Sequence, residues 1–288
     1  MGFTYSDQTV DGGLPRRRFA DLLAGEDGEV DLAHAALLIS AEENPGVEVE
    51  RWLAHLDALA AELRGRFAAL PPGPSRDFTR LAELSAFLFE EQGFRGNRDD
   101  YYDPANSFLD RVLERRTGIP ITLALVMIEV GRRVGVPLVG VGFPCHFLVR
   151  HARHADLLLD PFAGGRLVSD EDCRRLLANV CGDLPFHPRL LRPVSGRCLL
   201  QRVLTNLRAI YMSRGDLCRT VAVLDRILLL VPDDAVHLRE RGLLRLRCGD
   251  GGGLEDLTHY LEVEPEAPDR EALYALVESA RGRFVTVH

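Results

Sequence analysis

Residues 101–151 read YYDPANSFLDRVLERRTGIPITLALVMIEVGRRVGVPLVGVGFPCHFLVRH, and a change of hydrophobic period inside this stretch decides the fold. Gly118-Ile119-Pro120 opens a helix with proline in the first turn, where a missing amide donor costs nothing. Ile121, Ala124, Leu125 and Ile128 recur at helical spacing and mark its buried face. Beyond Gly135 the pattern shortens to apolar runs at Leu138–Phe143, His146–Arg150 and Leu157–Asp160, bounded by Pro144, Asp160-Pro161 and Gly164-Gly165. The connections are too short for crossovers, so the runs predict adjacent antiparallel strands. A helix leading into such strands is an α+β core.

Outward toward the N-terminus the chain reads as helical. Leu32, Ala35, Ala36 and Ile39 predict a helix over Leu32–Glu43 that ends at Asn44-Pro45-Gly46. Val49, Trp52, Leu53, Leu56, Leu59, Ala60 and Leu63 predict a second helix that buries the only tryptophan. Pro71-Pro72-Gly73-Pro74 breaks the chain. Asp77 is then expected to cap a third helix, with Leu81, Leu84 and Leu88 on its apolar face and Gly93 at its end.

Outward toward the C-terminus, helices resume near Leu190 and repeat. Gly215-Asp216 recurs as Gly249-Asp250 at an offset of 34, and Pro232 recurs as Pro265 at 33. That is the tetratricopeptide period. Two units are fewer than usually stand alone, so they are expected to pack on the preceding domain. The expected organisation is an N-terminal helical segment over 1–76, a core over 77–190 and a repeat module over 191–288.

Composition limits the function classes. With 46% hydrophobic and 27% charged residues the chain is ordinary globular material. A net charge of −8 excludes nucleic acid as the expected partner, and Arg16-Arg17-Arg18 reads as a solvated charged turn. All basic residues are arginine, so the protein cannot donate a lysine amine to a cross-link, and any acyl acceptor must be water or another molecule. Six cysteines lie scattered without a C-x-x-C, which argues against a zinc site or a disulfide framework and fits a reducing cytosol. No apolar run approaches the ~20 residues of a membrane helix, and the first residues lack a leader's apolar segment. The expectation is a soluble cytoplasmic protein with no cofactor, no metal and no membrane attachment.

The segment also carries candidate chemistry. A helix N-terminus at Gly118–Thr122, His146 at the opening of a strand and Asp160 at the end of the next have the layout of nucleophilic acyl transfer. The helix end lowers a nucleophile's pKa, the imidazole takes its proton, and the carboxylate fixes the imidazole tautomer.

Residues 101–151, LLLDPFAGG at 157–165, AEENP at 41–45 and the closing GDL, LLLVPDD, RGLL and YLEVEPEAPD segments together resemble the bacterial SirB family. Its members carry a transglutaminase-like domain, of the papain-like superfamily, followed by tetratricopeptide-like helices. The resemblance covers most of the chain. It implies that His146 and Asp160 hold the general-base and orienting positions. Where active relatives in the wider superfamily have cysteine, in a G-x-C-x-x-x-A pattern, this chain has Gly118-Ile119-Pro120-Ile121-Thr122-Leu123-Ala124, which puts Pro120 in the nucleophile's place.

Two residues could stand in. Thr122 lies in the same first turn, where capping or packing is its expected role. Cys145 directly precedes His146, where the family more usually has glycine. Strand alternation would turn it to the face opposite His146 unless Pro144 makes a turn there, and its departure from glycine is expected to strain the backbone. Asn106, Ser107, Glu114, Arg115 and Arg116, with Pro120 and Phe143, are expected around the same pocket, either lining it or holding its loop. Arg115 and Arg116 could clamp a carboxylate. His146, His151 and His154 are expected to be scattered over both faces of a strand, away from any metal geometry. Gly140-Val141-Gly142 falls short of a dinucleotide fingerprint, and Asp99, Asp100 and Asp103 read as a solvated loop without an EF-hand pattern.

Two functions compete. The favoured one is a catalytically degenerate transglutaminase-like protein that binds a peptide or protein partner in a regulatory or scaffolding role. The alternative is a hydrolase or acyl transferase that uses His146 and Asp160 with a relocated nucleophile or an activated water.

Overall fold

A computed structural model describes residues 13–24, 30–71, 73, 76–181 and 184–285 of the chain. Pro72, Pro74 and the first twelve residues, where no leader segment is expected, lie outside the described residues. The chain forms two compact units, one over residues 13–203 and the other over 204–285.

The first unit opens with α1 (Gly13–Leu23), α2 (Leu32–Glu43), α3 (Val49–Ala69) and α4 (Arg76–Ala86). Asp31 caps α2 by accepting from the His34 amide. Helix α3 buries Val49, Leu56, Leu59, Ala60, Leu63 and Phe67. Trp52 is only half-buried, which corrects the expectation from periodicity. Its ring stands edge-on to His55, and Arg51 covers its face. The amphipathic stripe is wide enough that an aromatic on its margin keeps one side in water. Asp77 also departs from expectation: it sits inside the first turn of α4, where its carboxylate is taken by Arg153 and His154. A π-helical turn at Phe87–Glu91 extends α4 to Gly93, which has a positive φ.

Next come β1 (Arg95–Gly96), α5 (Leu109–Arg115) and β2 (Thr117–Gly118), the two short strands pairing in parallel. Helix α6 (Pro120–Val134) follows directly. Every residue from Pro120 to Gly131 is buried, so α6 is a core helix enclosed all round rather than one with a single buried face. It packs against α3 and against the strands β3 (Leu138–Val141) and β4 (Leu148–His151). With β5 (Leu158–Asp160) and β6 (Arg166–Leu167) these form an antiparallel meander in the order β3-β4-β5-β6. The three expected strands are present but shorter than their apolar runs. The two-residue strands β1, β2 and β6 carry no periodicity that could have announced them. Helix α7 (Asp170–Cys181) completes the layer.

Helix α8 (Gly196–Ser213) leads into the second unit, which continues with α9 (Leu217–Leu230), α10 (Ala235–Arg247), α11 (Gly253–Val263) and α12 (Arg270–Val285). Gly215 and Gly249 take positive φ in the turns before α9 and α11, and that is why glycine recurs at the repeat interval. Asp216 and Asp234 cap α9 and α10. Between the helices lie Arg241 and Arg245, each bonded to both Asp225 and Asp256. No described helix is long and apolar enough to cross a membrane.

Candidate active site

His146 is placed by a turn rather than by a strand, because β4 begins two residues later. Its amide donates to the Phe143 carbonyl at 3.1 Å, which closes the turn around Pro144-Cys145. Cys145 occupies the left-handed region at φ 53° and is exposed. Strand alternation therefore does not decide where its side chain points. A non-glycine residue in this conformation costs about 1–2 kcal/mol. Cys145→Gly is accordingly expected to stabilise the first unit by about 1 kcal/mol, read as a higher midpoint in denaturant unfolding.

The other side of the pair is rigid. Asp160 is 2% exposed, and its Oδ1 accepts from the amides of Phe162 (3.0 Å) and Ala163 (3.2 Å) as well as from His146 Nε2 (2.9 Å). A carboxylate already accepting two N–H groups leaves His146 Nε2 to be the donor. The ring lone pair is then on Nδ1, the tautomer that a general base needs. Phe162 stands edge-on to His146 at 6.0 Å and to Tyr101 at 6.1 Å, and Arg98 lies over its face. Burial raises Tyr101 above the ordinary phenol range, with Tyr102 adding to the shift.

Arg202 of α8 is a member of this site that sequence reasoning missed. Its guanidinium donates to the carbonyls of Phe143 (3.3 Å) and His146 (3.1 Å) and lies 5.4 Å over the Phe147 ring, so it pins the turn at both ends. Burial holds it below the usual guanidinium value, while Cys198, Cys145 and Tyr101 pull the other way. It lies 56 residues beyond His146, in a helix that reads as ordinary amphipathic sequence, and no local signal marks it.

Pro120, where the family resemblance puts the nucleophile's place, is buried at the first position of α6. Thr122 is fully buried; its Oγ1 donates to the Asn106 carbonyl at 2.7 Å and accepts from the Ile119 amide at 3.1 Å. The hydroxyl caps α6 and ties down the preceding loop. Gly118 is required beside it, because a Cβ there would come within 2.7 Å of Thr122 Oγ1. Thr122→Val keeps the shape but leaves the Asn106 carbonyl and Ile119 amide unpaired. The expected cost is about 2–3 kcal/mol in denaturant unfolding.

The remaining candidates are divided between loop and core. Asn106 is fully buried, donating to the carbonyls of Asp100 and Tyr101 and accepting from Asn97. Ser107 is buried, and its hydroxyl has no hydrogen-bond partner. Arg115 pairs with Asp103 at 2.7 Å, Arg116 donates to the Gln92 carbonyl, and Glu114 pairs with Arg111. The two arginines thus face separate partners and form no common clamp. Phe143 is fully buried and packs with Val141, Leu148, Leu158 and Leu177, so it belongs to the core rather than to a pocket wall. Asp103 also caps the short helix at Pro104–Asn106.

The chain matches the transglutaminase-like superfamily over residues 50–205 and the tetratricopeptide repeat over residues 207–278. It is 37% identical over 266 residues to a UPF0162 protein of Xylella fastidiosa, covering 90% of this chain and 91% of that one. It is 26% identical over 215 residues to Protein SirB1 of Salmonella typhimurium, covering 73% and 79% of the two chains. F-box only protein 21 of Mus musculus is 33% identical over 144 residues, 47% of this chain and 22% of the mouse protein. No solved structure matches the chain. The chain belongs to the transglutaminase-like superfamily, in the SirB1-like UPF0162 family that joins this domain to tetratricopeptide repeats.

Proposed function

We propose that this protein is a catalytically degenerate member of its superfamily, whose task is to bind a peptide or protein partner in a regulatory or scaffolding role in the cytoplasm. The observation that carries this reading is the filling of the nucleophile position by Pro120, with the nearest hydroxyl, Thr122, sealed in the core. A His–Asp pair without an attacking atom can hold a turn or meet a ligand but cannot form an acyl-enzyme. The repeat unit offers the partner a groove of about 1080 Å³ lined in part by Ala235, Val236, Leu243, Arg247 and Leu276. Val236 is 68% exposed there, an apolar residue for which the second unit itself supplies no cover.

The test captures partners from native cells with the wild-type chain, His146→Ala and Val236→Glu. Wild type and His146→Ala are expected to retain the same partner and Val236→Glu to lose it. A His146-dependent labelling of Cys145 by an electrophilic thiol probe would overturn the reading in favour of a relocated nucleophile. That second reading has one supporting observation, the intact tautomer of His146, which a water or the exposed Cys145 could exploit.

A further inference from the structure

At the opposite end of β4 from His146, the fold assembles a cluster that sequence order conceals. His151 ends the strand and His154 lies three residues on in the tight turn toward β5, closed by the His154 amide on the His151 carbonyl. The two imidazoles therefore lie side by side, ring centroids 4.9 Å apart, rather than on opposite faces of a strand. Asp77, from the first turn of α4, completes the group with its Oδ2 at 3.0 Å from His154 Nε2. One nitrogen of each histidine and one carboxylate oxygen lie within 4.8 Å of one another.

We propose that Asp77, His151 and His154 form a zinc-binding site that joins the start of α4 to the β4–β5 turn. Two imidazoles and one carboxylate are a donor set for zinc with one position open to water. His151 is 1% exposed, and its Nε2 is buried without a hydrogen-bond partner. A buried polar atom of that kind is costly unless something meets it, and a metal ion does so.

The group needs closing before it fits. Zinc bonds of ~2.0–2.2 Å bring donors nearer to each other than the widest separation here. His154 and Asp77 are 46% and 31% exposed in their side chains and have room to move. When zinc takes Nε2 of His151, the ring proton passes to Nδ1 and the 3.3 Å contact from the Arg153 amide is given up. The Arg153 guanidinium, 3.2 Å from Asp77, occupies the place of the cation and competes with it. That competition separates a metal site from a merely structural ion pair.

The experiment titrates the full-length, chelator-treated chain with zinc by calorimetry, and with cobalt by absorption spectroscopy. One zinc per chain is expected, with affinity reduced about tenfold or more in Asp77→Asn and in His154→Gln. Arg153→Ala is expected to tighten binding several-fold. Both ligand substitutions are at partly exposed positions, so the test does not depend on the buried His151 tolerating replacement. Unchanged affinity in both variants, an absence of binding, or a sulfur-to-cobalt charge-transfer band marking a cysteine site would each overturn the proposal.

Discussion

Pro120→Cys is expected to yield a thiol that alkylates at neutral pH roughly tenfold faster than an ordinary exposed cysteine. Three features of the site produce that result. The new side chain stands at the first position of α6, where the positive end of the helix favours a thiolate. The G-x-C-x-x-x-A pattern of active relatives in the wider superfamily then runs from Gly118 to Ala124. His146 keeps the Asp160-fixed tautomer that accepts a thiol proton. The substitution also restores an amide at a helix position that needs no partner, so its backbone cost is small. Mass mapping reads the reaction, and the chain supplies its own negative control: Cys173 is fully buried, with its thiol pushed up to about 11 by burial and then by Asp170 and Asp172. Adding His146→Ala should slow labelling at residue 120. Labelling that matches the exposed native cysteines, or that ignores His146, would mean that position 120 is not the nucleophile's place in this site.

The second large effect is expected in the repeat unit. Asp256 is buried and accepts from Arg241 at 2.5 and 2.8 Å and from Arg245 at 3.0 Å, while Asp225 bridges the same two guanidinium groups at 2.9 and 2.7 Å. Two cations are thus shared between two carboxylates with little water to relieve them. Asp256→Ala leaves both guanidinium groups leaning on one carboxylate, and unfolding in denaturant should show a loss of about 3–5 kcal/mol. Asp234→Ala, which removes only the cap of α10, should cost about 1 kcal/mol. Equal losses in the two variants would show that the network contributes no more than a helix cap.

The division between what sequence reveals and what it hides follows the range of the interactions. Helices α2 and α3 announce themselves because their apolar spacing and their stops, Asn44 and Gly46 for α2, lie within a few residues. The paired Gly-Asp turns announce the repeat for the same reason, since a left-handed turn followed by a cap is chemistry within two residues. The His146–Asp160 pair was readable from its place at the opening of one strand and the end of the next, a layout that the family resemblance then matched. Two other features were not readable. Arg202 acts on the His146 turn from a different helix. Asp77 meets His154 across 77 positions. For Cys145 the sequence left a strand and a turn at Pro144 both open and flagged the departure from glycine, and the chain makes the turn with a positive φ. Trp52 shows the complementary limit: periodicity tells which stripe faces inward but not how far burial extends toward its margins.

The hydrogen bonds of Asp160 change what the presence of a dyad can mean. Its Oδ1 closes the turn over Phe162 and Ala163 while it also holds His146, so the same oxygen is part of the fold and part of the site. Natural selection for folding alone would keep this carboxylate long after any reaction had been abandoned. The histidine, with a satisfied partner already in place, could persist beside it. Across relatives, then, the presence of Asp160 says little about whether a reaction is carried out, because the fold alone has a use for it.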